Sequence, residues 1–562
     1  ALAMLPEERF DVSRVIDLNV ESLRNKDLED SDFVFTSAMI IQENSLEEIV
    51  KKAHSLGKRV VGGGPYPTSY SEKCFNAGLD YIVSGEAEVT LPGFLEDLSN
   101  GNAKRIYTSE NIDKEIETPL AKNGKPLLGG VPLPRWDLID LDNYVTAAVQ
   151  YSRGCPFNCE FCDITKLFGR ISRVKSPEQM LREFDALYEN DYRGEIFIVD
   201  DNFIGNKKEL ERFLPKLIEW QKKREYPFEF GTEASVDLAW PKNQDLLNKM
   251  VESGFKDVFL GIESVDTEMF DRMNKPQNKK MDSLRCVRNI QKSGLEVKAG
   301  FIIGEDGEKP TVFDDIYNFV QEAGIPIPMV GLLSVINGTD LYTRLKNEGR
   351  LRGGQKGSNT HEFSLSFEPK LAEGFTEEDL IEGYAEFIQK LFNPKNYFER
   401  CSVLRENRGD YVQSNNFNKE NIKILSKILK GQFKGDFTWS GTKYILETLV
   451  KKPSYSVQAF TDLVRYRHFQ DITSDALKAH VYTGKTNEWY DELERKAQEI
   501  LEKHPENPEK AYNKIRTKGG KTLKKARKRY EEIYQDFKDK PRDSLIHLKD
   551  KIDDLLHHHK PK

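Results

Sequence analysis

Three cysteines lie within eight residues, in the segment Cys155-Pro-Phe-Asn-Cys159-Glu-Phe-Cys162. Three thiolates on one loop can bind three irons of a cubane iron–sulfur cluster and leave the fourth iron open for a small ligand. A structural zinc site needs four closed ligands, and no His stands near these cysteines. The spacing therefore predicts an iron–sulfur cluster, with a zinc site and unrelated core cysteines as the alternatives.

The cysteine loop follows the first strand of a βα series that runs from residue 148 to residue 345. Apolar segments such as Ile196–Val199 alternate there with amphipathic segments such as Lys207–Lys222, which is typical of a parallel sheet with helices packed on it. Six such units are too few for a closed eight-stranded barrel. We therefore predict an open, partial (β/α)6 barrel with the cysteines at its mouth.

This C-x3-C-x2-C loop, with the aromatic Phe161 before its last Cys and a partial βα barrel behind it, resembles the radical S-adenosylmethionine (SAM) superfamily. In that superfamily the open iron chelates the amino and carboxylate groups of SAM, and reductive cleavage gives a 5′-deoxyadenosyl radical. The resemblance implies a 4Fe-4S cluster on Cys155, Cys159 and Cys162. It also implies SAM as a cofactor and an external one-electron reductant such as flavodoxin or ferredoxin.

The other strand ends agree with this resemblance. Ile198-Val-Asp-Asp-Asn202 stands where the superfamily places a Gly-Gly-Glu-type segment for the methionine amino group. Gly300-Phe-Ile-Ile-Gly304 matches its adenine segment, where small residues allow close backbone approach. The implied SAM contacts are Phe161, Asp200, Asp201, Asn202, Thr232, Glu233, Glu263, Ser264, Gly300, Ile302 and Gly304. Solvated or helix-capping carboxylates are the alternative for any single one of these acidic residues.

Three turns in the first hundred residues follow short apolar strands and are rich in Gly and Ser. Such turns at the strand ends of an open sheet let the backbone approach a bulky ligand. NAD binding is not supported, because no G-x-G-x-x-G motif stands at the beginning of a predicted helix. Their order before a radical SAM barrel resembles the cobalamin-binding domain of the cobalamin-dependent subclass. The implied cobalamin contacts are Thr36, Ser37, Met39, Gln42, Gly62, Gly63, Gly64, Pro65, Ser84, Gly85 and Glu86.

The histidine motif D-x-H-x-x-G, which supplies a cobalt ligand in that family, is absent from this chain. His54 is the only His before residue 361, and it lies in the predicted helix Leu46–Leu56. We therefore expect cobalamin without a His lower ligand, and we expect Met39 or Gln42 to face the cobalt.

These segments predict an α/β protein with a helical end. The predicted parts are a Rossmann-like cobalamin-binding domain (1–125), a linker (126–147), the radical SAM partial barrel (148–345), a helical C-terminal domain (346–475) and a charged helical tail (476–562). Within the first domain we predict strands at Val15–Leu18 and Phe33–Ser37. The chain opens on a segment typical of a helix end, so the first strand of this domain is expected upstream.

A closer resemblance, in the segments 161–164, 168–170, 199–208 and 230–235, indicates one branch of the cobalamin-dependent subclass. That branch includes hopanoid methylases and the enzyme that methylates a glutamine carbon of methyl-coenzyme M reductase. It implies a C-methyltransferase that acts on an unactivated sp3 carbon through the 5′-deoxyadenosyl radical and methylcobalamin. A peptidyl glutamine of methyl-coenzyme M reductase is the predicted substrate. The alternatives are a hopanoid or lipid methylase and a cobalamin-dependent oxidoreductase that transfers no methyl group.

Composition narrows the remaining possibilities. With 38% hydrophobic and 31% charged residues the chain reads as folded rather than disordered, and no apolar run approaches the roughly 18 residues of a membrane helix. Six cysteines in 562 residues form no disulfide framework, which predicts a reducing cytoplasm. The net charge of −8 argues against a wholly nucleic-acid-binding surface, but residues 514–529 hold nine Lys or Arg and no acid. This basic segment predicts contact with an anionic partner, with a solvated helix face as the alternative.

Overall fold

The computed structural model of the chain describes residues 5, 10–12, 14–111, 125–353, 361–411, 439–534 and 537–561. Its first part is a parallel four-stranded sheet in the order β1-β2-β3-β4. The strands are β1 (Phe33–Ser37), β2 (Arg59–Gly63), β3 (Tyr81–Val83) and β4 (Ile106–Tyr107). The helices are α1 (Asn25–Glu29), α2 (Glu43–Ser55), α3 (Pro65–Ser69), α4 (Ser71–Asn76) and α5 (Ala87–Ser99). Ser37 lies opposite Gly63, and Gly63 lies opposite Val83, so three strands end at one edge.

The strand predicted at Phe33–Ser37 is confirmed, but the strand predicted at Val15–Leu18 is wrong. Asp17 begins a turn there, because its carbonyl accepts a hydrogen bond from the Val20 amide at 3.0 Å. Its carboxylate accepts one from the Asn19 amide at 2.9 Å. A short polar side chain that binds the backbone two residues on competes with strand pairing.

The second part is a parallel six-stranded sheet in the order β12-β11-β10-β9-β8-β5, as expected for a partial barrel. Its strands are β5 (Thr146–Val149), β8 (Glu195–Ile198), β9 (Glu229–Ala234), β10 (Phe255–Glu263), β11 (Glu296–Ile303) and β12 (Pro328–Leu332). A small antiparallel pair, β6 (Ser152–Arg153) and β7 (Arg173–Val174), brackets the cysteine loop.

Helices cover the outer face of this sheet. They are α6 (Ile164–Leu167), α7 (Pro177–Glu189), α8 (Lys207–Lys223), α9 (Gln244–Glu252), α10 (Met269–Arg272), α11 (Ser283–Lys292), α12 (Val312–Ala323) and α13 (Asp340–Asn347). Several begin at a side-chain cap: Ser176 accepts from the Gln179 amide and Asp282 accepts from the Arg285 amide, which satisfies free amides of the first turn. Short 3-10 helices lie at Ile40–Gln42, Leu128–Gly130, Trp136–Leu138, Leu141–Asn143, Phe203–Asn206, Val236–Ala239, Pro241–Asn243, Pro276–Lys280 and Pro453–Tyr455.

The last part is helical. It contains α14 (Glu377–Leu391), α15 (Pro394–Asn407), α16 (Trp439–Lys451), α17 (Ser456–Lys503), α18 (Pro508–Glu531) and α19 (Asp539–His558). The predicted boundary at 475/476 lies inside the 48-residue helix α17. The first half of α17, with Leu463 and Tyr466, packs into the core of the barrel. From Ala479 onward it shares a separate apolar core with α18 and α19.

None of the helices in the described ranges combines the length and the apolar composition needed to cross a lipid bilayer.

Candidate functional site

The three clustered cysteines lie on the loop after β5, at the carboxyl end of the sheet. All three are half-buried and free of disulfides. Burial raises the pKa of the Cys162 thiol, and the nearby Cys159 and Cys155 raise it further, so the three side chains face one another. Among the described residues, no three His, Cys, Asp or Glu side chains converge as ligands of a single metal ion do. This arrangement is compatible with a cluster in which each thiolate binds a different iron.

The cysteine loop is held in place by the end of the neighbouring strand β8. The Gly154 amide donates to Asp201 Oδ2 at 2.8 Å, and the Asn202 side-chain amide lies 3.9 Å from Cys155 Sγ. Gly154 has a φ of 93°, and a Cβ there would stand 2.7 Å from the Ile171 carbonyl oxygen. The residue before Cys155 must therefore be Gly.

Of the polar strand-end residues predicted to contact SAM, two are already occupied within the protein. Asp200 accepts hydrogen bonds from the amides of Tyr151 and Ser152 and from the Ser152 hydroxyl, at 2.7–2.9 Å. Thr232 is buried and donates to the Ile198 carbonyl at 3.0 Å. Both residues shape the site from beneath, and their direct contact with SAM stays a prediction.

Glu233 differs from its neighbours, since its side chain is open to the barrel mouth. It has no hydrogen bond to any described residue. The surrounding protein, together with the carboxylates of Asp201, Glu263 and Asp200, raises the pKa of Glu233 to about 7. In this group of four carboxylates Lys275 pairs with Glu263. The excess of negative charge suits a positively charged ligand, and SAM carries both an ammonium and a sulfonium group.

Glu263 ends β10 in a left-handed backbone conformation, with a φ of 66°. Its carboxylate forms a buried ion pair with Lys275 Nζ, which also donates to the Gly261 carbonyl at 2.8 Å. A Cβ at Gly261 would lie 2.5 Å from Glu263 Oε1 and 2.8 Å from Lys275 Nζ. The sequence reasoning missed Lys275, because nothing in its local pattern shows that it turns back under β10.

The 3-10 helix Pro276–Lys280 carries a second pair of residues that sequence reasoning missed. Asn278 donates to the Ile262 carbonyl at 2.9 Å. Gln277 is 3% exposed and faces Cys159, yet neither its amide nitrogen nor its oxygen has a hydrogen-bond partner in the described chain. A buried amide without partners is costly, so Gln277 fits a ligand that reaches the cysteines. The residues present therefore fit a cysteine-bound cluster with SAM beside it.

The remaining predicted SAM residues lie on the cysteine loop, at the end of β10 and along β11. A Cβ at Gly300 would lie 3.0 Å from the Phe259 ring, and Gly304, with a φ of 98°, lies beside Leu380. Ile302 and Phe161 are half-buried, and the Ser264 hydroxyl accepts from the Asp266 amide at 3.0 Å. Their contact with SAM stays a prediction.

The predicted cobalamin contacts come together at the carboxyl edge of the first sheet, a surface we call the cobalamin shelf (residues 36–42, 62–65 and 84–86). Gly85 has a φ of 82°, and no atom lies within 4 Å of the position that its Cβ would take. Met39 is 59% exposed, and its amide donates to Gln42 Oε1 at 2.8 Å. Ser37 and Pro65 are exposed. An open edge of Gly and small side chains fits a flat, bulky ligand.

His54 stands at the opposite edge of this sheet. Its Nε2 lies 3.0 Å from Asp80 Oδ2, and the same oxygen accepts from the Val60 amide at the beginning of β2. His54 therefore faces away from the cobalamin shelf. The expectation that His54 supplies no cobalt ligand agrees with this position, and the roles of Met39 and Gln42 stay predictions.

Glu86 is a shelf residue whose carboxylate points into the protein. Its carboxylate accepts from both terminal nitrogens of Arg173 at 3.0 Å and from Arg153 Nη1 at 2.8 Å. Contact with cobalamin through the Glu86 backbone stays a prediction, but the carboxylate is engaged by the cysteine-loop hairpin.

Three family models match successive parts of the chain. Residues 149–320 match the model of the radical SAM superfamily, residues 1–95 match the B12 binding domain, and residues 339–481 match a domain of unknown function, DUF4070. An uncharacterized methyltransferase of Synechocystis sp. is 40% identical over 387 residues, which is 69% of this chain and 69% of that protein. The chain belongs to the cobalamin-dependent radical SAM methyltransferase family. It is therefore an enzyme that uses a 4Fe-4S cluster, SAM and cobalamin.

Two further relatives of this radical SAM methyltransferase agree. The hopanoid C-2 methylase of Rhodopseudomonas palustris is 29% identical over 455 residues, covering 80% of this chain and 82% of that protein. The solved structure of the radical SAM methyltransferase TsrM from Kitasatospora setae, with cobalamin and a [4Fe-4S] cluster bound, superposes with a TM-score of 0.52 at 13% identity. It covers 79% of this chain and 91% of that one, which shows a shared fold.

Proposed function

We propose that this radical SAM methyltransferase methylates an unactivated sp3 carbon. When bound, the cluster and SAM supply a carbon-centred radical that removes a hydrogen atom, and cobalamin supplies the methyl group. The residues of this chain bind these groups, orient them and exclude water.

The observation that carries this proposal is the position of the cobalamin shelf. The loop that follows β3 contacts the hairpin after β5 through Glu86 and Arg153. The loop after β2 contacts the segment after β12, because the Asn337 amide donates to Tyr70 Oη at 2.8 Å and its side chain donates to the Ser69 carbonyl at 2.8 Å. β5 and β12 are the two end strands of the open sheet. The first domain thus closes over the barrel mouth, with its shelf on the side of the cysteines.

Different residues of the chain serve the cluster, SAM and the loop that carries the cysteines. Cys155, Cys159 and Cys162 would hold the cluster, and Glu233 would attract the cationic end of SAM. Asp201 fixes the loop through the Gly154 amide. No general base is required for removal of a hydrogen atom, which agrees with the absence of a His at the described barrel mouth.

For the substrate we propose first a peptidyl glutamine of methyl-coenzyme M reductase, on the strength of the branch resemblance alone. A lipid of the hopanoid class is a second candidate, and two observations favour it. The hopanoid C-2 methylase aligns over 80% of the chain. The inner face of the barrel also carries two aromatic rings, Phe197 at Gly231 and Phe259 at Gly300, although Asp257 Oδ1 lies closer to Gly231 than Phe197 does.

Deuterium-labelled SAM distinguishes these candidates. The reconstituted enzyme is incubated anaerobically with SAM bearing a C2H3 methyl group, a reductant and either a glutamine peptide of methyl-coenzyme M reductase or a hopanoid. A mass increase of the peptide supports the first substrate, and an increase of the lipid supports the second. Substrate-dependent 5′-deoxyadenosine without S-adenosylhomocysteine and without a labelled product would overturn methyl transfer and indicate the oxidoreductase alternative.

A further inference from the structure

Four charged side chains join the first domain to the hairpin that brackets the cysteine loop; we call this group the domain clamp (Glu86, Glu88, Arg153 and Arg173). Arg153 donates to Glu86 at 2.8 Å and forks onto the two oxygens of Glu88 at 3.0 and 2.9 Å. Arg173 forks onto Glu86 with two contacts of 3.0 Å. Two carboxylates and two guanidinium groups thus balance one another across the domain boundary.

The domain clamp is withdrawn from water. The exposed fractions of the side chains are 3% for Glu86, 2% for Arg173, 10% for Glu88 and 15% for Arg153. Burial raises the pKa of Glu88, but the hydrogen bond and the charge of Arg153 outweigh burial and leave this pKa below its usual value. Buried ion pairs add little to stability over an apolar replacement, whereas their directional forks fix geometry.

Each end of the domain clamp is tied to a cofactor surface. Glu86 ends the turn Ser84-Gly85-Glu86 of the cobalamin shelf, and Arg153 is two residues before Cys155. Arg173 also donates to the carbonyl of Phe168 at 3.1 Å, inside the loop that returns from the cysteines. A displacement of the shelf relative to the cysteine loop therefore strains these forks directly.

The other contact across the barrel mouth has a different character. Asn337 meets Ser69 and Tyr70 through neutral hydrogen bonds only. Neutral bonds to backbone and hydroxyl groups tolerate small shifts better than two bidentate arginines that share a carboxylate. The first domain is thus attached firmly at the cysteine side and more loosely at the β12 side.

We propose that the domain clamp sets the position of the cobalamin shelf relative to the cysteine loop, which makes its four members positioning residues for methyl transfer. Transfer between two bound groups needs their reacting atoms in near-attack geometry, and a misplacement of about 1 Å costs on the order of 100-fold in rate. The expected effect on the rate of methyl transfer rests on the proposed function. The expected effect on the distance between cobalamin and the cluster does not.

The test uses reconstituted holoenzyme and three variants. Glu86→Gln removes the carboxylate charge that both arginines share. Glu88→Gln removes only the charge of the more exposed glutamate and leaves Arg173 paired with Glu86. The second variant therefore keeps the test valid if Glu86→Gln fails to fold. Glu195→Gln is the control, because Glu195, whose side chain is 20% exposed, forms a 2.7 Å pair with Lys256 at the amino end of the six-stranded sheet. Within the part of the chain that the structure describes, Glu195 forms no ion pair with the first domain.

The main readout is the effect of the reduced cluster on the relaxation of the cob(II)alamin electron paramagnetic resonance signal, which depends on their separation. We expect normal iron and cobalamin contents in all variants, and a changed relaxation effect in both clamp variants but not in Glu195→Gln. Wild-type relaxation in Glu88→Gln and in folded Glu86→Gln would overturn the proposal. Loss of cobalamin from Glu86→Gln alone, with Glu88→Gln unchanged, would also overturn it and make Glu86 a cobalamin contact.

The second readout is the ratio of methylated product to 5′-deoxyadenosine. We expect this ratio to fall at least tenfold in the clamp variants, because hydrogen removal continues while methyl transfer misses its target; an unchanged ratio would contradict a positioning role. If wild-type enzyme methylates no substrate, the proposed function fails, and the relaxation measurement still decides the position of the shelf.

Discussion

At the scale of single residues, Glu233 is a carboxyl group of the candidate site whose charge changes near neutral pH. Its folded pKa of about 7 lies above the ordinary value of 4.5, because burial and neighbouring carboxylates disfavour its charge. Ionisation above pH 7 therefore costs folding free energy, and the contribution of protonated Glu233 to stability is lost as the pH rises through 7. The affinity for a cationic ligand has the opposite pH dependence, because such a ligand binds more tightly to the ionised carboxylate.

We therefore expect the affinity for SAM to rise as the pH increases through about 7 and then to level off. Glu233→Gln should weaken binding about tenfold at pH 8, on the order of one charge-assisted hydrogen bond. It should also reduce the pH dependence, while Asp200 and Asp201, whose pKa values are raised to about 7 and about 6, retain part of it. Dissociation constants from equilibrium dialysis at pH 6 to 8.5 measure both effects. Glu229→Gln, at the other end of β9 and beside Lys256, is the control. A pH-independent affinity of the wild-type enzyme would contradict this role of Glu233.

Lys275 supports a second prediction at this scale. Lys275→Met leaves the buried Glu263 carboxylate without its partner, and breaking a buried ion pair from one side costs about 3–5 kcal/mol. We expect the barrel to unfold at a clearly lower denaturant concentration, as followed by circular dichroism of the apoprotein. The double variant Lys275→Met/Glu263→Gln should recover most of the loss, because no buried charge then stays unpaired. Equal destabilisation of the single and double variants would argue that Lys275 acts by packing alone.

These residues also show what the sequence can and cannot predict about the site. The cysteines are adjacent in the chain, so their spacing alone indicates the cluster, and the strand-end position of Glu233 follows from the alternating pattern. Lys275 and Gln277 reach the site from a turn that follows β10. Glu86 reaches Arg153 across 67 residues of chain. Such contacts depend on how separate elements pack, and no local pattern encodes them.

At the scale of elements, the two halves of α17 belong to different cores, and the second half forms a three-helix bundle with α18 and α19. The change of composition near residue 476 marks the change of packing partner. This change of composition does not require a break in the helix, because an α-helix can pass from one core to another without losing a backbone hydrogen bond. Strands β1 to β3 of the first sheet were predictable from their apolar segments, but the two-residue strand β4 was not. No strand forms at Val15–Leu18, where the side chain of Asp17 competes for the backbone.

Two adjacent glycines in α18 provide a matched test of this bundle. A Cβ at Gly519 would lie 3.0 Å from Ile552 Cγ2 in α19, whereas nothing lies within 4 Å of a Cβ at Gly520. Gly519→Leu should destabilise the bundle by about 1–3 kcal/mol through overpacking. Gly520→Ala should stabilise it by about 1 kcal/mol through helix propensity. Thermal unfolding of the full chain by circular dichroism measures both, and the same sign for both variants would contradict the packing of α18 against α19.

At the scale of the whole molecule, charge is strongly segregated. Helix α18 carries ten Lys or Arg and two Glu, so its net charge is +8. Since the whole chain has a net charge of −8, the residues outside α18 together have a net charge of −16. A cleft of about 910 Å³ between α17 and α18 is lined by Lys496, Lys503, Lys510, Lys514, Lys518 and Lys521.

This segregation predicts that the full chain binds a negatively charged surface despite its acidic isoelectric point of about 5.8. Local potential governs such binding, and counterion screening weakens it as salt increases. We expect retention on a cation-exchange resin at pH 7.5 and low salt. The triple variant Lys514→Gln/Lys518→Gln/Lys521→Gln should elute at clearly lower salt. A charge-matched control, Lys222→Gln/Lys242→Gln/Lys279→Gln on the barrel, should elute as the wild type does. Equal shifts in the two triple variants would mean that net charge alone controls retention, and the basic segment would then be an ordinary solvated helix face.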